Sequence, residues 1–379
     1  MDSQTFIKNR ISLSKKTLKK DILKAKIEPF LHDFLNEEVY KIFTIEPIDL
    51  LSHNRLDIIY KTTFLEGIKN EDQYSYKGYL EHIKAFNFGK FKEFGNPEKN
   101  SEKKFIEEFI SLDKDIKESG FDSDKSIIPL AKDLSIINGA HRFASSFYRK
   151  KEITCVQIDH PPFLYDYQFF INRLVDGNRL QDMVYKYIKS SQNCYLALFW
   201  PRASLKNEEI KKLFPNVVFF KEINLTLYGL DNLIKNVYKN EKWIGNIMNN
   251  YSGSMSKTSL CFSKNRNLKL VVFDNISKDE VVRIKNKIRR ICNVGNHSIH
   301  TTDNKEETLI LAKILLFENS INLLNKINNN NINLCEKINN LENQFKSKRI
   351  NADNILLDHH TSLNLFGFIK YNNFRKIGI

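Results

Sequence analysis

The stretch Leu134-Ser135-Ile136-Ile137-Asn138-Gly139-Ala140-His141-Arg142-Phe143-Ala144-Ser145-Ser146 places a small turn between an apolar segment and a helix. Leu134 to Ile137 is typical of a short strand, and Phe143 to Lys150 is predicted to be helical. The first amide groups of a helix have no partner within the helix, and the helix dipole adds positive charge there. The stretch therefore predicts a binding site for an anion such as phosphate.

The residue types at this turn suit a phosphate ligand. Gly139 allows the backbone to approach a ligand or to adopt a positive φ. Arg142 can donate two parallel hydrogen bonds to phosphate oxygens, and His141 can donate a hydrogen bond or exchange a proton near neutral pH. Asn138, Gly139, Ala140, His141 and Arg142 are therefore the predicted binding residues. The alternative is a helix start at which His141 and Arg142 only pack against the core.

This motif resembles that of a known family. Residues 138–146, Asn-Gly-Ala-His-Arg-Phe-Ala-Ser-Ser, are similar to the [Asp/Asn]-Gly-x-His-Arg-x-x-Ala motif of the ParB/sulfiredoxin-like fold. Residues 43–55 and Ile127-Ile128-Pro129-Leu130 resemble earlier parts of that domain, so the resemblance covers roughly residues 39–160. The fold includes chromosome-partitioning proteins that bind CTP and DNA, sulfiredoxin, which uses ATP, and free-serine kinases. The resemblance therefore implies an α+β nucleotide-binding domain.

The resemblance also implies roles for individual residues. Gly139, His141 and Arg142 would contact nucleotide phosphates, and the implied cofactor is ATP or ADP with Mg, whose protein ligands are unknown. Glu46 lies near the place where the kinase members carry an early acidic residue, so Glu46 and His141 are the predicted catalytic residues.

Two charged residues after the early segment could extend this site. Asp57 and Lys61 could supply a metal carboxylate and a further phosphate contact. A surface salt bridge between them is the alternative.

The leading hypothesis is a nucleotide-dependent phosphotransferase that acts on a small hydroxylated metabolite, with surface polysaccharide biosynthesis as a setting that no residue specifies. The first alternative is a ParB-like regulatory module that contacts nucleic acid. The chain lacks a Gly-Glu-Arg-Arg motif and an evident helix-turn-helix after residue 146, which argues against DNA binding. The second alternative is a glycosyltransferase or nucleotidyltransferase with its chemistry in residues 163–325, where no catalytic set can be named.

Length and composition are consistent with a globular protein of two domains. The 379 residues include 28 Phe and 15 Tyr, enough apolar surface for two cores. The formal net charge of +14 favours an anionic partner, although solvated surface lysines would give the same excess. Five scattered cysteines without a Cys-x-x-Cys pair indicate reduced thiols. No apolar leader or membrane-spanning window is seen, so a cytoplasmic protein is expected.

Four parts are predicted along the chain. Residues 1–38 form a helical segment, 39–162 the ParB/sulfiredoxin-like domain, 163–325 a second α/β domain, and 326–379 an Asn-rich linker and C-terminal tail. Further strands are predicted at Val39 to Ile45, Ile127 to Leu130, Ile153 to Ile158, Cys194 to Trp200, Val217 to Phe220 and Leu268 to Phe273, and helices at Lys278 to Cys292 and Asn304 to about Ile327.

Three other segments contain candidate site residues or resemble known motifs. His297, His300 and Asp303 could ligate a metal or bind phosphate, or Asp303 could cap the following helix together with Glu306. Residues 251–258 lack the glycines of a P-loop, so that interpretation is rejected. Residues 358–367 faintly resemble the opening of a nucleotidyltransferase but lack its Gly-Ser turn and paired aspartates.

Overall fold

The computed structural model describes residues 3–93, 95–246, 249, 251–274 and 276–326. The predicted Asn-rich linker and C-terminal tail lie, from residue 327 onward, outside these residues. The strands are β1 (Thr17–Lys19), β2 (Val39–Ile45), β3 (Ile128–Leu130), β4 (Ile153–Gln157), β5 (Cys194–Phe199), β6 (Val217–Ile223), β7 (Leu268–Asp274) and β8 (Ile299–Thr301).

Helices surround these strands. They are α1 (Ser3–Leu13), α2 (Lys20–Lys24), α3 (Asp57–Ile68), α4 (Gln73–Phe86), α5 (Glu102–Ser119), α6 (Ala140–Arg149), α7 (Tyr167–Asn172), α8 (Gly177–Ser190), α9 (Asn207–Lys211), α10 (Leu227–Val237), α11 (Ser252–Cys261), α12 (Lys278–Cys292), α13 (Lys305–Leu315) and α14 (Glu318–Lys326). Short 3-10 helices lie at Pro29–Phe34, Pro47–Leu50, Lys242–Ile244 and Gly295–His297.

The first sheet has the strand order β1-β2-β4-β3. β2 pairs antiparallel with β1, where Leu18 faces Tyr40, and with β4, where Phe43 faces Cys155. β3 runs parallel to β4, with Ile128 beside Cys155. A parallel pair needs a crossover connection, and α6 supplies it between β3 and β4.

Both faces of this sheet are covered. Phe43 and Ile45 point into the main core with Phe143 of α6, whereas Tyr40 points to the opposite face, where Leu23 of α2 and Leu31 pack. Successive side chains of a strand point to opposite faces, so the apolar alternation in β2 serves two cores. The sheet is therefore a middle layer between α3 and α6 on one side and residues 20–35 on the other.

The second sheet has the order β6-β7-β5-β8 and is antiparallel throughout. α12 covers one face, with Val281, Ile284 and Ile288 against Ala197 and Phe199. The other face joins the main core, to which α8, α10 and α13 contribute. Burial on both faces explains why β5 and β7 are almost continuously apolar.

The two sheets share one core. A single buried cluster includes Phe43 of the first sheet, Tyr187 of α8 and Leu196 of the second sheet. The chain after β4 also returns to the first unit, because the amide of Tyr165 donates to the carbonyl of Asn54 at 2.8 Å. The packing therefore holds residues of both sheets close to each other.

The described residues form a mixed α and β structure with two small sheets, as predicted. Three local expectations are wrong. The single helix predicted from Asn304 to about Ile327 is divided into α13 and α14, with a break at Leu316 and Phe317. The segment 1–38 was predicted to be helical, yet Thr17–Lys19 forms an edge strand, and Leu134 to Ile137 forms only one isolated bridge, between Ile136 and Leu130. Cys155, Cys194, Cys261 and Cys292 are all free.

No helix within the described ranges has the length and apolar character needed to cross a membrane.

Candidate functional site

The turn before α6 has the predicted backbone shape. Gly139 is the N-cap of α6 and adopts a left-handed conformation with φ of 80°, and no side chain caps the helix. The amide of Phe143 donates to the carbonyl of Gly139 at 2.8 Å, which closes the first helical turn. The amides of Ala140, His141 and Arg142 precede the first bond within the helix and are the donors available to a ligand.

Arg142 covers this turn. A methyl group added at Gly139 would lie 3.1 Å from Nη2 and 3.2 Å from Nε of Arg142. Burial lowers the pKa of Arg142 and the charge of Glu28 opposes this shift, yet an arginine stays protonated in proteins. Within the described ranges, no hydrogen bond or ion pair holds the guanidinium. A partly buried cation of this kind gains from an anionic ligand.

His141 points to a different part of the domain. Its Nε2 lies 3.0 Å from the hydroxyl of Tyr79, and its ring packs edge-on against Phe109 at 4.7 Å between centroids. Burial, with the nearby charges of Lys61 and Lys99, lowers the pKa of His141 well below its usual value, so the imidazole is neutral at pH 7. Consecutive helical residues diverge by about 100°. The structure therefore does not bring His141 to the guanidinium of Arg142.

Glu46 is also distant from the turn. It is exposed and follows β2, whose last residue, Ile45, pairs with Ile153 at the start of β4. β4 begins after the end of α6, whereas Gly139 lies before its start. The pairing therefore places Glu46 towards the C-terminal end of α6, whereas Gly139 caps the opposite end.

Asp57 and Lys61 form a salt bridge, but in the interior and not at the surface. The carboxylate of Asp57 accepts from Nε and Nη2 of Arg55 at 2.8 and 2.9 Å and from Nζ of Lys61 at 2.9 Å. The side chains of Asp57 and Lys61 are 1% and 4% exposed. Lys61 also contacts Nε2 of His82 at 3.1 Å. A phosphate or metal could reach this group only by displacing these contacts.

This buried network supports the turn. Burial alone would raise the pKa of Asp57, but Arg55 and Lys61 hold it well below its usual value, so the carboxylate stays ionised. Arg55 also donates to the carbonyl of Ile136, which lies three residues before Gly139. The network therefore connects the start of α3 to the loop that carries the turn.

The predicted cluster near residue 300 does not form one site. Nδ1 of His297 lies 3.2 Å from Nζ of Lys257, whereas Nε2 of His300 lies 2.8 Å from Glu307. Glu307 also accepts from the amide of Asp303 at 2.7 Å, so these groups stabilise the start of α13. In the part of the chain that the structure describes, no three His, Cys, Asp or Glu side chains form a metal-ligand group. In the rejected P-loop segment, residues 251–258, all residues from Ser252 onward belong to α11.

A pocket of about 90 Å³, which the sequence does not predict, lies beside the same loop. Its lining includes Ser52 and His53 before α3, Asp133 and Ser135 before the turn, and Asn216 before β6. The sequence signal at this pocket is the polar run Ser52-His53-Asn54, which lies in the segment that resembles the early part of the family's domain.

Replacing Gly139 with alanine should lower the free energy of unfolding by about 1–2 kcal/mol. A left-handed conformation costs an L-residue roughly that much, and the new methyl group would lie 2.6 Å from Cδ1 of Ile128, a flexible side-chain end. Urea denaturation measures the loss. Gly177→Ala is the matched control, because no atom lies within 4 Å of its added methyl group. An equal loss in both variants would contradict the strain at Gly139.

The site therefore consists of a helix N-terminus, an uncapped glycine turn and one unpaired guanidinium, with His141 and Glu46 elsewhere. This geometry suits a phosphate group. The membership in the ParB/sulfiredoxin-like fold stays a prediction from the motif. Comparison with known proteins found no matching family model, no matching curated protein and no matching solved structure.

Proposed function

We infer that the chain is a nucleotide-dependent phosphotransferase that acts on a small hydroxylated metabolite. Its N-terminal domain, of the ParB/sulfiredoxin-like fold, would bind the phosphates of ATP or ADP at the start of α6, with Mg bound to the phosphates. The motif at residues 138–146 and the geometry of the turn support this proposal together.

One observation carries the proposal. The guanidinium of Arg142 lies over Gly139, partly buried, with no acidic group or hydrogen-bond acceptor bound to it in the described ranges. The other buried cations near α3 are paired, since Arg55 and Lys61 share Asp57. An unpaired guanidinium beside free helix amides is the arrangement that a phosphate group would complete.

The residues of the site would have different roles. The amides after Gly139 and the guanidinium of Arg142 would hold and orient phosphate oxygens and stabilise negative charge during transfer. His141, neutral and packed beside Tyr79, would fix the orientation of α6. No hydrogen bond or ion pair joins the side chain of Glu46 to the turn in the described ranges, so the proposal does not depend on it.

ATP or ADP with Mg should stabilise the wild-type protein, and Arg142→Ala should reduce this effect. A ligand at about 100 times its dissociation constant adds about 2.7 kcal/mol to stability. Loss of one charge-assisted contact removes about 1.5–3 kcal/mol of binding energy, and therefore most of the shift. Thermal-shift measurements with ATP, ADP, CTP and sugar nucleotides provide the readout.

Lys151→Ala is the control, because it removes an exposed positive charge just after the other end of α6. It should respond to nucleotide as the wild type does. The proposal fails if no nucleotide stabilises the wild type, or if Arg142→Ala and Lys151→Ala respond equally. The nucleic-acid module would be favoured instead if DNA stabilises the protein and nucleotides do not. In that case the stabilisation by DNA should fall steeply as the salt concentration rises.

A further inference from the structure

A second polar site lies where the two sheets meet. The pocket of about 90 Å³ is bordered by residues 49–53, by the loop 133–135 and by Asn216. Close to it, His53 faces Asp274 at the end of β7, with Nδ1 3.7 Å from Oδ1. The pocket therefore combines residues of the first unit with the edge of the second sheet.

The His53 and Asp274 pair is incomplete as it stands. The side chain of Asp274 is 0% exposed, and the hydroxyl of Tyr187 donates to its Oδ2. Its Oδ1 and the Nδ1 of His53 are both buried and have no hydrogen-bond partner in the described ranges. Buried polar atoms are nearly always paired. With a proton on Nδ1, a small movement of the His53 ring that shortens the 3.7 Å distance would let Nδ1 donate to Oδ1 and satisfy both atoms.

This arrangement leaves the other imidazole nitrogen for a ligand. His53 lines the pocket, and its side chain is 19% exposed. When Nδ1 carries the proton, Nε2 has a free lone pair. A buried carboxylate that holds a histidine in this tautomer is the arrangement that makes an imidazole a general base, and Asp274 is such a carboxylate above its pKa of about 7.

The charges around the pocket disfavour the binding of a free phosphate. Asp49 and Asp133 line the pocket. Asp166, the residue before α7, is a third acidic group whose charge affects the pKa of His53. Burial lowers the pKa of His53, against the raising effects of Asp166 and Asp133, and burial raises the pKa of Asp274 to about 7. Burial raises the pKa of Asp49, and the positive charge of Arg10 in α1 opposes this shift. Apolar residues such as Leu50 and Leu134 form part of the lining, and its two acidic side chains favour an uncharged or cationic ligand that carries hydroxyl groups.

The size of the pocket matches a small acceptor. A water molecule needs about 10–15 Å³ of cavity volume. The pocket of about 90 Å³ therefore holds roughly six water molecules, or one small organic molecule that occupies the same space. Ser135 lines the pocket and precedes Gly139 by four residues, which sets a limit of roughly 14 Å between their Cα atoms. A phosphate chain that starts at the turn could therefore point to the pocket.

We propose that this pocket is the acceptor site of the phosphotransferase and that His53, positioned by Asp274, is its general base. This role rests on the proposed function. The acceptor is a small alcohol or amino alcohol. Its hydroxyl proton moves to Nε2 of His53 while its oxygen bonds to the γ-phosphorus of ATP. The bond between that phosphorus and ADP breaks, and ADP leaves with the electron pair.

Phosphoryl transfer from ATP with Mg to glycerol, ethanolamine and L-serine, followed by ³¹P NMR on the full chain, tests this role. At least one of these probes should be phosphorylated by the wild type. His53→Gln should lower kcat by about 100-fold or more with little change in KM for ATP, because general-base catalysis contributes on that order. His32→Gln is the matched control, since His32 lies on the opposite side of the first sheet.

Asp274→Asn tests the positioning role. The amide would donate to Nδ1 of His53 and favour the wrong tautomer, so kcat should fall. Loss of the neighbouring carboxylate also disfavours the protonated imidazole, so the rise of kcat with pH should move to lower pH. A merely structural defect would not move the pH profile in this way.

The outcomes separate the two proposals. If ATP stabilises the wild type but none of the three probes is phosphorylated, or if His53→Gln transfers as fast as His32→Gln, the acceptor site is overturned and the nucleotide site stands. If ATP does not stabilise the wild type, the proposed function fails. If Asp274→Asn fails to fold, His53→Gln, a substitution at a partly exposed loop residue, tests the role alone.

Discussion

Replacing Asp57 with alanine is expected to lower the free energy of unfolding by about 3–5 kcal/mol, because removal of one partner strands buried charge. Asp57 is the carboxylate that both Arg55 and Lys61 contact, and their side chains are 3% and 4% exposed. Without it, the guanidinium and the ammonium would share the interior with no anion. Urea denaturation followed by the fluorescence of the fully buried Trp200 measures the change.

Asp115→Ala provides the control for this prediction. Asp115 is an exposed aspartate in the middle of α5, so its loss should change stability by no more than about 0.5 kcal/mol. Equal effects of the two substitutions would contradict the view that the buried network stabilises the domain.

The Asp57 variant should also change the response to acid. The pKa of Asp57 is lower in the folded than in the unfolded protein, so its contribution is fully present above the unfolded pKa of about 3.9. It is lost as pH falls from there towards the folded pKa. The wild type should therefore lose stability on acidification below about pH 4 more steeply than Asp57→Ala, and parallel curves would contradict this sign.

Strong local patterns explain which elements could be predicted. β2 and α12 have the predicted bounds, because seven alternating residues and a regular apolar stripe specify them without help from the rest of the chain. The three-residue strand β1 escaped prediction, since its Leu18 becomes part of a sheet only by pairing with Tyr40. Leu134 resembles a strand residue but adopts φ of 69°, which a strand does not allow.

Helix caps show the same limit. The predicted box at the start of α13 was Asp303 with Glu306, whereas Asn304 caps the amide of Glu307, and Glu307 accepts from Asp303. The predicted and the observed cap both fit the capping-box pattern, and the observed cap lies one residue later in the chain. The register depends on the pairing of His300 with Glu307, which only the fold reveals.

The candidate site was predictable only where its parts are neighbours in the chain. Gly139 and Arg142 lie within one helical turn, so the sequence indicated their association. His53 and Asp274 come from different sheets and meet through tertiary packing, so no spacing predicts their pair. His141 was expected at the ligand because it belongs to the same motif, but its direction depends on where Tyr79 and Phe109 pack.

Replacing Phe64 with alanine should lower the free energy of unfolding by about 3–5 kcal/mol, the usual cost of removing a buried aromatic ring. Phe64 is 2% exposed and stacks on Tyr79 at 4.4 Å and on Phe109 at 5.7 Å between centroids. The loss should appear in urea denaturation. Phe88→Ala, which removes a ring that is 81% exposed, should cost less than about 1 kcal/mol.

This variant also tests the separation between His141 and Arg142. The cavity at Phe64 would loosen Tyr79, whose hydroxyl contacts His141, but Arg142 lies on a different side of α6. Nucleotide should therefore still stabilise Phe64→Ala by the same increment as the wild type, although from a lower starting stability. A nucleotide response that disappears with Phe64 would mean that the aromatic layer, and not the guanidinium at the turn, determines binding.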